Sequence, residues 1–123
     1  MFSVGELMEL ILYVEDMPAQ VAFYRDVLGM RVKSPLGNAD LTHSAWVEME
    51  SGPCTLALHA GGKRRFGEDA PKFVFRVADI LAAHRILLER GVAMGDIFQA
   101  APGVWVSNAS DPEGNLFSIE SHD

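Results

Sequence analysis

The chain has one cysteine, Cys54, among its 123 residues, so an intrachain disulfide is impossible. Cys54 lies in an apolar stretch and reads as a packed, inert thiol rather than a nucleophile. Long hydrophobic runs are also missing. The apolar run at 7–14 contains Glu9 and falls far short of the ~20 residues that span a bilayer. No basic segment precedes it, so it does not read as a secretory leader. The expectation is a cytoplasmic protein with no membrane partner. Positive charge is scarce, with 10 Lys and Arg against 17 Asp and Glu and a net charge of −7. That balance argues against nucleic acid as a partner, because phosphate binding needs a basic surface. There is no phosphate-binding glycine motif, no catalytic-triad spacing and no zinc-type CxxC.

What is present is ordinary globular composition. Apolar residues make up 49% and charged residues 22%, which excludes a disordered chain. At roughly 100–200 residues per domain the length allows one domain, spanning 1–123. About two-thirds of the unfolded surface can be buried at this size, so a core needs no disulfide or metal staple.

The pattern along the chain predicts short strands and two helices. Residues 8–14 read as a strand. Asp16 is an N-cap, Pro18 suits a first turn, and Met17, Val21, Tyr24 and Leu28 recur at helical spacing. Gly29 closes that helix, predicted over 17–28. Strands are predicted at 31–33, at 43–49 (opening on His43) and at 54–60, with a turn at Ser51-Gly52-Pro53. Residues 61–71 form a Gly-rich linker of mixed charge, in which Lys63-Arg64-Arg65 reads as a solvated loop. The order then repeats: a strand at 72–77, an N-cap at Asp79, a helix closed by Gly91, and strands at 92–98, 103–108 and 116–120. Asp111-Pro112-Glu113-Gly114 fits a type I turn.

The repeat is internal and nearly constant in period. Val14 and Val77 are 63 apart, as are Asp16 and Asp79, and Gly29 and Gly91 are 62 apart. Each half reads strand, helix, strand, strand, strand, with module one at about 8–60 and module two at about 72–121. Three strands in succession imply an antiparallel meander, so the fold class is α+β rather than a doubly wound parallel sheet. Two helices cannot cover both faces of so many strands. One face must curve around a cavity or meet another chain.

Strand alternation separates the two faces. Leu10, Leu12, Val14, Leu56, Leu58, Phe73, Phe75, Val77, Phe117 and Ile119 form a wholly apolar set that should pack under the helices. The opposite set mixes groups: Glu9, Ile11, Tyr13, Thr55, Ala57, His59, Lys72, Val74, Arg76, Leu116, Ser118 and Glu120. It reads as a ligand cleft with convergent polar groups or as a solvated sheet face. Trp46 and Trp105 occupy similar places in the two modules, lining the cleft, an interface or the core.

The residues Tyr13-Val14-Glu15-Asp16, Ala22-Phe23-Tyr24-Arg25-Asp26-Val27-Leu28-Gly29-Met30, Phe75-Arg76-Val77-Ala78-Asp79, Leu88-Glu89-Arg90-Gly91-Val92 and Asp111-Pro112-Glu113-Gly114-Asn115-Leu116-Phe117 carry a resemblance. The sequence resembles the vicinal oxygen chelate superfamily, the group of glyoxalase I, bleomycin-resistance proteins and extradiol dioxygenases. The resemblance runs from about Glu9 to Glu120. It implies two βαβββ modules forming a curved mixed sheet around a cleft, with metal ligands from the first and last strand of each module. Those positions are Glu9, Ala57, Lys72 and Ser118 here. Ala has no donor atom, Ser is a poor ligand, and Lys is cationic at neutral pH. The resemblance therefore implies a fold without its catalytic metal, and no cofactor is expected. A shifted set of Glu9, His59 and Glu120 is the one route to a metal site.

The expected function is binding of a small organic molecule by a homodimer. The expected ligand-binding residues are Glu9, Tyr13, His59, Lys72, Arg76, Ser118 and Glu120. Lys72 and Glu9 are symmetry mates and would pair, and Lys72 and His59 are the candidates for catalysis. The alternative is a metal-dependent glyoxalase-like lyase or isomerase, or a ring-cleaving dioxygenase. His43 and His122 are expected in solvent and His84 half-packed on its helix.

Overall fold

Asp16 and Asp79 start the two helices as capping residues. In a computed structural model of the chain, their carboxylates accept from the backbone N–H groups of Ala19 and Ala82, each at 3.1 Å. The structure describes residues 2, 6–37, 40–62 and 70–123. Of the expected linker, 63–69 lies outside the described residues, and Lys63, Arg64 and Arg65 with it. The chain divides into two units, Met1–Arg64 and Arg65–Asp123.

The first unit contains β1 (Glu9–Val14), α1 (Met17–Ala22), β2 (Val32–Ser34), β3 (Trp46–Met49) and β4 (Thr55–Ala60). Its sheet order is β1-β4-β3-β2, with β1 parallel to β4 and the other pairs antiparallel. The second unit contains β5 (Phe73–Arg76), α2 (Ile80–Glu89), β6 (Phe98–Ala101), β7 (Val104–Ser110) and β8 (Leu116–His122). Its order, β5-β8-β7-β6, repeats the first with the same one parallel pair. Two four-stranded mixed sheets with few helices thus make up the fold, and each βαβββ unit carries the meander that its sequence implies.

The apolar sets lie where alternation puts them. In the first unit Val14, Leu56 and Leu58 are buried together with Met17, Val21 and Tyr24 of the helix. In the second, Phe117 and Ile119 are buried with Ile80 and Leu87 of α2. Phe73, Phe75 and Phe117 form a ring cluster with centroids 5.5–6.2 Å apart. No helix among the described residues is long and apolar enough to cross a membrane.

Three local expectations are corrected. The helix expected over 17–28 is α-helical only to Ala22 and continues as a π-helical turn, Phe23–Val27. The wider turn accommodates Phe23 and Tyr24, consecutive aromatics that are both buried and meet edge to face at 5.3 Å. The strand expected at 43–49 begins only at Trp46. Asp40 accepts from the Thr42 N–H and hydroxyl at 2.9 and 2.6 Å, which turns the chain and leaves His43 exposed outside the strand. The strand expected at 92–98 begins only at Phe98. Residues 92–97 are a loop tied down at Gly95, whose N–H donates to the Asn108 carbonyl at 2.7 Å. The Gly95 carbonyl accepts from Ser107 Oγ at 2.7 Å and from His84 Nε2 at 3.1 Å.

Candidate functional site

Register decides which side chains share the face opposite each helix. In the first unit Tyr13 lies level with His59 and His59 with Trp46. The next row is Ile11, Ala57 and Glu48, and the next pairs Glu9 with Thr55. The first row is a run of aromatic rings. Tyr13 and His59 are 5.0 Å apart between centroids, and Trp46 meets His59 edge-on at 5.9 Å. Half of the Tyr13 surface, 51%, is exposed. His59 donates through Nδ1 to the Ala60 carbonyl at 2.7 Å, which leaves Nε2 as the acceptor in the neutral ring. Lys33 reaches across from β2 and donates to Thr55 Oγ1 at 3.1 Å.

In the second unit Val74, Ser118 and Asn108 form one row, and Arg76, Glu120 and Val106 form the next. Lys72 precedes β5 by one residue and shares the side of Val74 by alternation. Its ammonium is engaged within its own unit, donating to Asn108 Oδ1 at 3.0 Å. Ser118 is 1% exposed, and its hydroxyl has no hydrogen-bond partner. Glu120 accepts from His122 Nε2 at 2.7 Å, so His122 is both exposed and paired.

These positions bear on metal chemistry directly. The four positions at which the resemblance implies metal ligands, Glu9, Ala57, Lys72 and Ser118, carry a carboxylate, a methyl, an ammonium and a hydroxyl. Within the first unit, Glu9 and His59 stand four residues apart along a paired set of strands, or ~13 Å. They do not converge on one ion without both side chains lying flat along the strands. Among the described residues no group of three His, Cys, Asp or Glu side chains can hold a metal.

Sequence reasoning missed Lys33, Glu48 and Asn108. Asn108 follows from alternation once β7 is paired with β8. Lys33 does not, because the pairing of β2 shifts register between Val32 and Ser34. The similarity assumed for the two tryptophans is corrected. Trp46 shares the row of His59, whereas Trp105 pairs with Ser121 on the helix side of its sheet. Its indole N–H donates to Asp123 at 3.2 Å, beside a groove lined by Ala78, Ile80 and Ile97. The residue of β7 that pairs with Glu120, as Trp46 pairs with His59, is Val106, so Trp105 stands one residue earlier and on the opposite face.

A family model of the Glyoxalase/Bleomycin resistance protein/Dioxygenase superfamily matches residues 6–119. The chain belongs to this superfamily. Its fold is shared with a putative glyoxalase family protein from Bacillus anthracis, at 17% identity and a TM-score of 0.79, over 100% of this chain and 99% of that one. It is shared with TnmS3, an antibiotic binding protein from Streptomyces sp. CB03234, at 21% identity and a TM-score of 0.75, over the whole of both chains. Lactoylglutathione lyase from Agrobacterium tumefaciens matches at 20% identity and a TM-score of 0.73, over 96% of this chain and 94% of that one. At these identities the likeness concerns the fold. No curated protein matches the sequence significantly.

Proposed function

We propose that the protein binds a small organic molecule on its open sheet faces and lacks the catalytic metal of its superfamily. The observation that carries this reading is the ammonium of Lys72. It donates to Asn108 Oδ1 at 3.0 Å, at a position where the resemblance implies a metal ligand. A protonated amine has no lone pair for a metal and repels a cation. A catalytic ion needs about three protein ligands, and of Glu9, Ala57, Lys72 and Ser118 only Glu9 supplies an anionic donor.

The chemistry available is recognition. Tyr13, His59 and Trp46 offer ring faces and edges to a planar or apolar group. On the face of the first unit His59 Nε2 accepts from a ligand hydroxyl or N–H and Glu9 adds a carboxylate, and on the face of the second Arg76, Ser118 and Glu120 offer polar contacts. In this reading Lys72 and His59 bind rather than catalyse. The name of one structural relative, an antibiotic binding protein, agrees with binding as a function of this fold. The net charge of −7 supports a partner that is not nucleic acid. The same reading places the protein in the cytoplasm as a homodimer, which sedimentation equilibrium checks.

The test uses Trp46 as its reporter. The chain has two tryptophans, so Trp105→Phe leaves Trp46 alone. A small-molecule screen read by Trp46 fluorescence should find saturable ligands. Tyr13→Ala should weaken them by about tenfold, the loss expected for one aromatic contact with its buried area. Absence of any saturable ligand would contradict the reading.

A further inference from the structure

The second unit combines three hydrogen-bonding side chains that the fold brings together. Lys72 Nζ donates to Asn108 Oδ1 at 3.0 Å, and Asn108 pairs in register with Ser118. Paired residues on one face of an antiparallel sheet have Cβ atoms about 4.5–5.5 Å apart. Lys72 fixes the orientation of the Asn108 amide: its oxygen takes the ammonium, so its NH2 is left to donate elsewhere. The Asn108 backbone is held as well, because its carbonyl accepts from the Gly95 N–H at 2.7 Å. The Ser118 hydroxyl is buried, without a partner, on the same face. A buried hydroxyl left unpaired costs about 1–3 kcal/mol. An ammonium, an amide NH2 and a buried, unpartnered hydroxyl are thus gathered on one face of the second sheet.

We propose that Lys72, Asn108 and Ser118 form a receptor for a carboxylate of the small-molecule ligand. This rests on the binding reading above and specifies the ligand's charge. A carboxylate oxygen accepts from the Lys72 ammonium and the Asn108 NH2, and the other satisfies Ser118. One ammonium balances one negative charge, and the overall charge of −7 disfavours a dianion such as a phosphate monoester. The nearest carboxylate on the face, Glu120, lies two residues along β8 from Ser118, is held by His122, and has Arg76 beside it in register. The receptor is therefore not occupied by an acid of its own row. The ammonium occupies a family metal position, so charge recognition of an anion here is direct.

The test is an NMR titration of the full chain with benzoate, benzamide and phenyl phosphate, following the Asn108 side-chain NH2 and the Ser118 amide. Benzoate should shift both signals and benzamide neither. Lys72→Met should weaken benzoate by about tenfold or more, as expected for a charge-assisted hydrogen bond. Lys72→Arg should restore most of the loss, and Ser118→Ala should weaken binding severalfold while raising the melting temperature, because it removes a buried unpaired hydroxyl. Equal shifts from benzamide, tighter binding of phenyl phosphate, or no shift at Asn108 and Ser118 would each overturn the carboxylate receptor. Benzamide binding at the Tyr13–His59–Trp46 row with no charge preference would leave the binding reading intact, so the two failures are distinguishable.

Discussion

Gly62 holds the strand that carries Tyr13 in place. Its N–H donates to the Val14 carbonyl at 3.1 Å, and a Cβ there would lie 2.6 Å from the Tyr13 carbonyl carbon. No rotamer relieves a clash with backbone. Gly62→Ala should destabilise the fold by about 1–3 kcal/mol, the usual range for overpacking. Chemical denaturation checks this, and the Tyr13 signals should shift. His59 makes a separate prediction. His59→Phe keeps the ring row but removes Nε2, so hydrogen-bond-donating ligands should weaken by about tenfold while apolar ligands change little. Asp40 supplies the pH dependence. The Thr42 hydroxyl, and then the Thr42 N–H, hold its carboxyl below the usual carboxylate range. The stabilisation is present above the ordinary Asp pKa and is lost as pH falls through the lowered folded value. An NMR titration should show the Asp40 midpoint rise towards normal in Thr42→Val.

The capping carboxylates of α1 and α2 are equivalent, so Asp16→Ala and Asp79→Ala should each cost about 1 kcal/mol in thermal or denaturant unfolding. A cost at only one of them would break the symmetry of the two units. The turn at Asp111 is held more strongly. Its buried carboxylate accepts from the backbone N–H groups of Glu113 and Asn115 at 2.9 Å and from Asn115 Nδ2 at 2.6 Å. These features were legible because cap and turn chemistry sits in residues adjacent along the chain. The faces of β1, β4, β5 and β8 were legible too, since a period of two needs no knowledge of the partner strand. The π-helical turn, the late starts of β3 and β6 and the reach of Lys33 were not. Each depends on a contact set by packing or by a register shift. Trp46 and Trp105 show the consequence: their places in the two modules look alike, but a single-residue shift puts them on opposite faces.

The two units repeat one strand order and differ in what they present. The first carries the aromatic row Tyr13, His59 and Trp46, where the second has Arg76, Glu120 and Val106 in register. At the positions where the resemblance implies metal ligands the first carries Glu9 and Ala57, the second Lys72 and Ser118. The duplicated architecture thus presents different side chains in its two units, and the proposals above assign apolar rings to the first and a carboxylate to the second. In the proposed function both serve recognition of a small molecule, and among the described residues no group of three His, Cys, Asp or Glu stands ready for a metal ion. The decisive measurement is the metal content of the untagged full chain, with melting temperature recorded in the presence of Fe, Mn, Ni, Co and Zn. The proposed function requires substoichiometric metal and an unchanged melting temperature. Stoichiometric metal that raises the melting temperature and is lost in Glu9→Ala would contradict it and assign the chain to the metal-dependent members of its superfamily.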